Sequence, residues 1–165
     1  MDRLEIKASL NVSDTGEIVG NAWPFAEPDR VGDIITKGAF GEISPDLGML
    51  YQHNPADLIG TWTEVKATDE GLMVKGQLHL DQPRARSVRS LVLKGLVSDL
   101  SIGFRTKSSR KEGRNRIIDA LDLAEISLVR SGSHPRARIT SAKSFDEAAA
   151  IAAVINRAAA ALALR

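Results

Sequence analysis

Apolar and polar residues alternate along most of the chain, and alternation with a period of two is typical of half-buried β-strands. The pattern first appears over residues 4–10 and returns over residues 18–25. Turn-forming residues at 13–16, Ser-Asp-Thr-Gly, separate the two runs. The chain is therefore predicted to open with a β-hairpin.

Six further segments carry strand patterns: residues 49–51, 61–67, 72–80, 96–106 and 117–129, with a short edge strand at 136–141. The stretch Asp69-Glu70-Gly71 between two of them is a hairpin signal. The basic, glycine-containing stretch 107–116 is predicted to be a loop. Residues 28–48 are rich in Gly, Pro and Asp. Because this segment is long for a structureless connection, we expect a functional loop or a short helix there.

Two segments have helical signals. The first begins at Pro83, carries apolar residues at helical spacing and ends near Gly95, a suitable C-cap. The second begins with the capping-box pair Ser144 and Glu147 and continues as an Ala-rich amphipathic stretch to the end of the chain. Its apolar stripe must pack on this domain, on a second copy of the chain or on a partner.

These elements predict a mainly β fold with helices, in the α+β class. We expect an antiparallel sheet or barrel with one internal helix and one C-terminal helix. Residues 1–143 would form the β domain, and residues 144–165 would form the terminal helix. The length of 165 residues fits this arrangement and is enough to bury a core without disulfides or metal.

Composition excludes several classes of protein. The chain contains no cysteine, which excludes a disulfide scaffold, a Cys-ligated metal site and a thiol nucleophile. No apolar run approaches the ~18 residues of a membrane span, and the first residues lack a signal-peptide core, so we expect no membrane association. The phosphate loop, the dinucleotide-binding glycine motif, the H-E-x-x-H motif and the G-x-S-x-G elbow are all absent from the sequence.

Charge is unevenly distributed along the chain. The net charge of +1 hides a surplus of eight acidic groups in residues 1–83 and of nine basic groups in residues 84–143. Because the basic residues lie within apolar-patterned segments, we interpret the split as two oppositely charged faces of one folded unit. A nucleic-acid-binding β-domain that uses residues 105–116 is the alternative, although this stretch has no aromatic residues for base stacking.

Three positions could carry chemistry. His53 ends an apolar strand and enters a turn, where a rigid sheet presents side chains, and an imidazole titrates near neutral pH. Ser101 lies within a strand, and Gly103 on the same face would leave open space beside its hydroxyl. Glu125 interrupts a nearly continuous apolar strand, where a carboxylate needs a partner. For each position a purely structural role is also open: a capped turn, a bulge or a salt bridge to an arginine.

The other two histidines fit no metal signature, and we expect neither a metal nor a cofactor. His79 lies on the polar face of its strand, where a solvated side chain is expected. His134 precedes Pro135 in a Ser/Gly loop, where a surface position is expected.

Eight short motifs follow one another along the chain: residues 29–35 (DRVGDII), 38–40 (GAF), 50–53 (LYQH), 59–60 (IG), 70–72 (EGL), 95–97 (GLV), 100–104 (LSIGF) and 125–129 (EISLV). This ordered set resembles the HK97-type prohead serine proteases of tailed bacteriophages. Each stretch is weak alone, and their order makes the signal specific. The stretch after Val129 departs from the family pattern, which usually has Pro-Ala where this chain has Arg-Ser.

The resemblance implies a serine protease with a barrel similar to that of the herpesvirus assemblins. It implies Ser101 as nucleophile, His53 as general base and Glu125 as third member, with Asp99 and Asp33 as weaker candidates for the third position. The backbone around residue 130 is expected to donate to the oxyanion.

The implied substrates are the scaffolding part of the capsid protein and the protease itself, inside the procapsid in the bacterial host cytoplasm. A homodimer formed through the terminal helix is a further expectation. The alternative within the same fold is a non-catalytic capsid-assembly module.

Overall fold

The computed structural model describes residues 15–140. The predicted strand at 4–10, the first two residues of the predicted turn at 13–16 and the predicted helix at 144–165 lie outside the described residues.

Eight strands and one α-helix make up the described part of the chain. The strands are β1 (Glu17–Pro24), β2 (Asp33–Ile35), β3 (Gly48–Tyr51), β4 (Asn54–Ala67), β5 (Gly71–Leu78), β6 (Asp99–Glu112), β7 (Asn115–Val129) and β8 (Arg138–Ile139), with the helix α1 (Pro83–Leu93) between β5 and β6. The segment expected to hold a loop or short helix contains β2 and a 3₁₀ turn, Lys37–Phe40, which buries Ala39 and Phe40.

Seven of the strands close into a barrel. Their order is β7-β3-β4-β5-β1-β8-β6, and β6 pairs with β7 to complete the ring. The short strand β2 adds to the beginning of β7 outside the ring. Inward-facing apolar residues from every long strand form one core, which includes Ile18, Met49, Trp62, Leu100 and Ile126. The architecture is the mainly β barrel with an internal helix that the pattern predicts.

The internal helix has the boundaries that its sequence signals indicate. Pro83 occupies the first turn, and Gly95 follows the helix in the left-handed conformation (φ +70°). The N–H groups of Gly95 and Leu96 donate to the carbonyl oxygens of Val92 and Leu91, at 3.0 and 2.9 Å. This pair of bonds is a Schellman C-cap, and it needs the left-handed residue that glycine supplies without strain.

The prediction of an antiparallel sheet is wrong at two pairings. β2 and β3 both run parallel to β7, with Leu50 opposite Ser127 in the second case. Parallel neighbours need a long connection, and here three other strands and α1 lie between β3 and β7 along the chain. Pairwise alternation in a sequence does not reveal this direction.

The predicted basic loop at 107–116 is also wrong, because most of it is strand. β6 and β7 extend as a two-stranded arm, and the turn between them is limited to Gly113 and Arg114. The strands are solvated here, so they lack the apolar alternation that marks a half-buried strand. Cross-strand ion pairs, Lys107 with Asp122 and Arg110 with Asp119, accompany the pairing.

Candidate active site

His53 lies in a strained two-residue turn that joins β3 to β4. Both turn residues, Gln52 and His53, have left-handed backbones, with φ of 53° and 58°. Such turns usually contain Asn or Gly, because a side chain in this conformation costs roughly 1–2 kcal/mol. Non-glycine residues with left-handed backbone conformations cluster at functional sites. Here this conformation orients the His53 imidazole toward β7.

Three hydrogen bonds tie this turn to the end of β7. The Gln52 N–H donates to the Leu128 carbonyl oxygen at 3.0 Å, and the His53 N–H donates to the Ser127 hydroxyl oxygen at 3.1 Å. In return, the Arg130 N–H donates to the side-chain oxygen of Gln52 at 3.2 Å. The parallel pairing of β3 with β7 is therefore continued through the turn by one backbone bond and two bonds to side-chain oxygens.

Ser101 faces the outside of the barrel from β6. Its neighbours Leu100 and Ile102 belong to the core, so period-two alternation puts the serine on the opposite face, where it is 5% exposed. It is paired with Ser127 of β7. The Ser101 hydroxyl oxygen lies 2.9 Å from His53 Nε2.

Glu125 reaches the other side of the same imidazole. Glu125 precedes Ser127 by two residues, so both side chains lie on the same face of β7. Glu125 Oε1 forms a very short contact with His53 Nδ1. Its second oxygen, Oε2, accepts the Ser127 hydroxyl at 2.6 Å. Gly103 is paired with Glu125 on β6.

Gly103 makes room for the carboxylate. A Cβ built on Gly103 would overlap Glu125 Oε1, so no larger residue fits while the carboxylate keeps its position. The expectation that this glycine leaves open space for the serine hydroxyl is wrong, because the Glu125 side chain fills that space.

The carboxylate determines both the tautomer and the basicity of His53. A carboxylate only accepts, so the proton lies on Nδ1, and Nε2 is left to accept the hydroxyl proton of Ser101. The hydrogen bond to Glu125 raises the pKa of His53 above its ordinary value of 6.5; burial opposes this effect, and the Glu125 charge adds to it. This arrangement can remove a proton from the serine and hold the resulting imidazolium.

A sequence profile of the caudovirus prohead serine proteases matches residues 2–151 of this chain. The chain belongs to that family. The motif resemblance drawn from the sequence is therefore confirmed.

Two phage proteins are related to this chain along most of its length. A capsid polyprotein of Pseudomonas phage PAJU2 is 32% identical over 152 residues, which cover 87% of this chain and 22% of the polyprotein. The prohead protease of Enterobacteria phage HK97 is 29% identical over 153 residues, covering 88% of this chain and 68% of that protein. The chain thus spans about a fifth of one relative and two-thirds of the other.

The barrel also matches a herpesvirus protease. The crystal structure of the KSHV protease in complex with a hexapeptide phosphonate inhibitor superposes with a TM-score of 0.52 at 13% identity, covering 75% of this chain and 64% of that chain. At this identity the likeness concerns the fold, and it confirms the predicted herpesvirus-like barrel.

Asp33 and Asp99, the two weaker candidates for the third position of the triad, have structural partners. Asp33 forms a two-pronged ion pair with Arg116, which holds β2 against the start of β7. Asp99 accepts the Gly132 N–H at 3.1 Å and the Ser98 hydroxyl at 3.0 Å. Asp99 therefore anchors the segment that follows β7, and Glu125 is the carboxylate that contacts His53.

The remaining histidines lie away from this cluster. His79 is half-buried and bonds the Thr61 hydroxyl at 2.9 Å. His134 is 1% exposed, so its predicted surface position is wrong. It packs edge-on against Trp23, and its Nδ1 accepts the Arg136 N–H at 3.2 Å. Burial lowers the pKa of His134, because the charged form is poorly solvated there.

No helix within residues 15–140 has the length and apolar character needed to cross a membrane. The same residues contain no cluster of three His, Asp or Glu side chains suited to hold a metal ion.

Sequence reasoning missed the two residues that hold the turn in place, Gln52 and Ser127. The period of two was a usable signal for Ser127, since it is the next residue after Glu125 on the same face of the strand. Nothing local pointed to Gln52, because its partners, Leu128 and Arg130, lie about 75 positions further along the chain.

Proposed function

We propose that this chain is a serine endopeptidase in which Ser101 is the nucleophile, His53 the general base and Glu125 the third member of the triad. One observation carries the proposal. The Ser101 oxygen is 2.9 Å from His53 Nε2, while Nδ1 of the same ring meets the Glu125 carboxylate. This is hydrogen-bond distance for proton transfer, with the base oriented by a third group.

The proposed reaction proceeds in two halves. Ser101 Oγ attacks the substrate carbonyl carbon while His53 Nε2 takes the hydroxyl proton, and Glu125 stabilises the imidazolium. The tetrahedral intermediate collapses as the C–N bond breaks, and His53 gives its proton to the departing amine, leaving an acyl ester on Ser101. A water molecule then loses a proton to His53 and hydrolyses the ester, which restores the serine.

The oxyanion of each intermediate needs hydrogen-bond donors. We propose that the backbone N–H groups around Arg130 supply them; one such donor typically contributes about 3 kcal/mol. In the structure the Arg130 N–H donates to the Gln52 side chain. The Arg130 N–H can therefore donate to the oxyanion once its hydrogen bond to the Gln52 side chain has broken.

The proposed substrates are the scaffolding part of the capsid protein and the protease itself, inside the procapsid in the bacterial host cytoplasm. Family membership supports the procapsid setting. The names of the two phage relatives, a prohead protease and a capsid polyprotein, support a capsid protein as the target. A homodimer formed through residues 144–165 stays a prediction outside the described residues.

Co-expression with the capsid precursor tests this function, with products identified by intact mass. We expect the unaltered chain to cleave the precursor and Ser101→Ala to leave it whole. Ser109→Ala, an exposed serine on the same strand, is the matched control and should cleave normally. Normal processing by Ser101→Ala would remove Ser101 from the mechanism.

A serine-directed phosphonate reagent separates the protease from a non-catalytic assembly module. The proposed mechanism predicts covalent labelling of Ser101 in the assembled particle, and its failure there would favour the assembly module. The nucleic-acid alternative is weakened by the pairing of basic residues on the β6–β7 arm with Asp119 and Asp122. A DNA affinity that falls steeply with salt concentration would support the nucleic-acid alternative instead.

A further inference from the structure

Ser127 lies at the centre of the candidate site without being one of its three members. Its side chain is completely buried on the outer face of β7. It stands opposite Ser101 of β6 on one side and opposite Leu50 of β3 on the other. It is therefore between the strand that carries the proposed nucleophile and the strand that leads to His53.

The two hydrogen bonds of Ser127 have a defined direction. A hydroxyl has one proton to donate, and the carboxylate of Glu125 can only accept, so the proton points to Oε2, at 2.6 Å. The oxygen lone pair then accepts the backbone N–H of His53, at 3.1 Å. One hydroxyl thus connects the carboxylate with the backbone of the histidine that this carboxylate faces.

We propose that Ser127 is a positioning residue of this site: its hydroxyl holds the Glu125 carboxylate and the His53 backbone in the relative position that their mutual contact requires. The proposal rests on the proposed protease function for its catalytic meaning, and the contact that it explains can be measured without substrate. In the proposed mechanism Ser127 neither bonds the scissile group nor takes the proton of Ser101; its hydroxyl bonds go to Glu125 and His53, and it acts through these two residues.

The surroundings of the carboxylate explain why a second anchor is needed. Glu125 lies over Gly103, which has no side chain to confine it, and its oxygens are held by His53 on one side and Ser127 on the other. The His53 backbone is in a strained turn that relaxes if its tether is lost. Removing the hydroxyl therefore loosens both ends of the contact between Glu125 and His53.

Two opposing effects on the pKa of His53 must be weighed. Loss of the Ser127 donor leaves more of the negative charge of Glu125 free to attract the Nδ1 proton of His53, which would strengthen the bond from His53 by a fraction of its energy. Loss of alignment weakens the same bond steeply, because hydrogen-bond energy falls quickly with angle and distance. The second effect is the larger one, so the pKa of His53 should fall toward its ordinary value when the hydroxyl is removed.

NMR titration of the His53 ring in the full chain tests this inference. We expect the pKa of His53 to be about half a unit lower or more in Ser127→Ala than in the unaltered chain. The far-downfield proton signal of the Nδ1–H should weaken at the same time, and Ser109→Ala should change neither. An unchanged or raised pKa of His53 in folded Ser127→Ala would overturn the proposal.

A second pair of variants covers the case in which Ser127→Ala does not fold. Ser127→Thr and Ser127→Val have the same shape and suit a strand, and they differ only in the hydroxyl. Threonine should keep the higher pKa of His53 and valine should lose it. Equal His53 pKa values in these two variants would contradict the positioning role.

Kinetics on a cleavable peptide separate positioning from simple stability. Ser127→Ala should lower kcat about tenfold or more with little change in KM. In the Glu125→Gln background, Ser127→Ala should lower kcat much less, because the contact between the Glu125 carboxylate and His53 is already lost. Additive losses would overturn the proposal. If the unaltered chain cleaves nothing, the protease function fails while the titration still decides the role of Ser127.

Discussion

The two halves of β7 use polar residues in opposite ways. In the second half, Glu125 and Ser127 are largely or wholly buried; each forms a hydrogen bond with His53, and the Ser127 hydroxyl also donates to Glu125. In the first half, the arm that β7 forms with β6 is lined with exposed ion pairs such as that of Arg110 with Asp119. One strand thus carries both a preorganised polar cluster and a solvated, charged surface.

The contrast between the two halves indicates which polar contacts matter for function. Exposed ion pairs are screened by water and salt and contribute little. Buried groups cannot exchange their partners for water, so each lost bond leaves an unsatisfied group. Substitutions of similar chemistry should therefore have very different effects at the two ends of β7.

The largest expected effect is at His53 itself. His53→Ala removes the proposed base and should lower the cleavage rate by roughly 10⁴–10⁶-fold, as loss of a triad member does elsewhere. The fold should be retained, because the imidazole lies on the outer face and is substantially exposed. Single-turnover cleavage of the capsid precursor measures the loss. A decrease of less than tenfold would exclude His53 as the base.

Glu125→Gln should reduce activity by roughly 10²–10⁴-fold without abolishing it. The amide keeps the size of the side chain and loses the charge that favours the correct tautomer and stabilises the imidazolium. The rate of peptide cleavage at saturating substrate is the measurement. Activity equal to that of the unaltered chain would show that a residue other than Glu125 is the third member of the triad.

The pH dependence of cleavage tests the same pair. Catalysis needs neutral His53, so activity should rise with pH through a midpoint above 6.5, and Glu125→Gln should move that midpoint toward or below 6.5. Because the folded-state pKa is raised, the contact with Glu125 stabilises the fold below pH 6.5, and this contribution disappears as pH rises through the folded-state value. A midpoint that is the same in both proteins would contradict the assignment.

Gly103→Ala should lower kcat by about 10–100-fold, because the new methyl group displaces the carboxylate from His53. A matched control is Gly38→Ala, where a Cβ meets no neighbour within 4 Å among the contacts described. Equal kcat values for the two variants would show that the position of the carboxylate is not restricted by this glycine.

The smallest effect is expected on the arm. Arg110→Ala removes an exposed cross-strand partner of Asp119 and should leave cleavage of a small peptide within about twofold of the unaltered rate. If peptide cleavage falls tenfold while the fold is retained, the contrast between the two halves of β7 is wrong and the arm belongs to the active site.

Much of this molecule could be predicted from local patterns. Period-two alternation located most of the strands, and Pro83 and Gly95 bounded the internal helix, because these signals reflect backbone geometry and burial within a few residues. The site residues Ser101 and Glu125 stood out as polar groups within buried strands. The arm was missed since a strand solvated on both faces has no apolar signal.

Local sequence patterns establish which segments become strands and the helix, which faces are buried, and which family the motifs resemble. The parallel direction of β3 and β7 follows from the three-dimensional arrangement, and it carries the His53 turn to the end of the strand that holds Glu125 and Ser127. The same arrangement makes Gly103 the position that leaves room for the carboxylate, and it buries His134. These features depend on contacts between residues about 20 to 110 positions apart in the chain, and only the pairing of strands into the barrel brings such residues together.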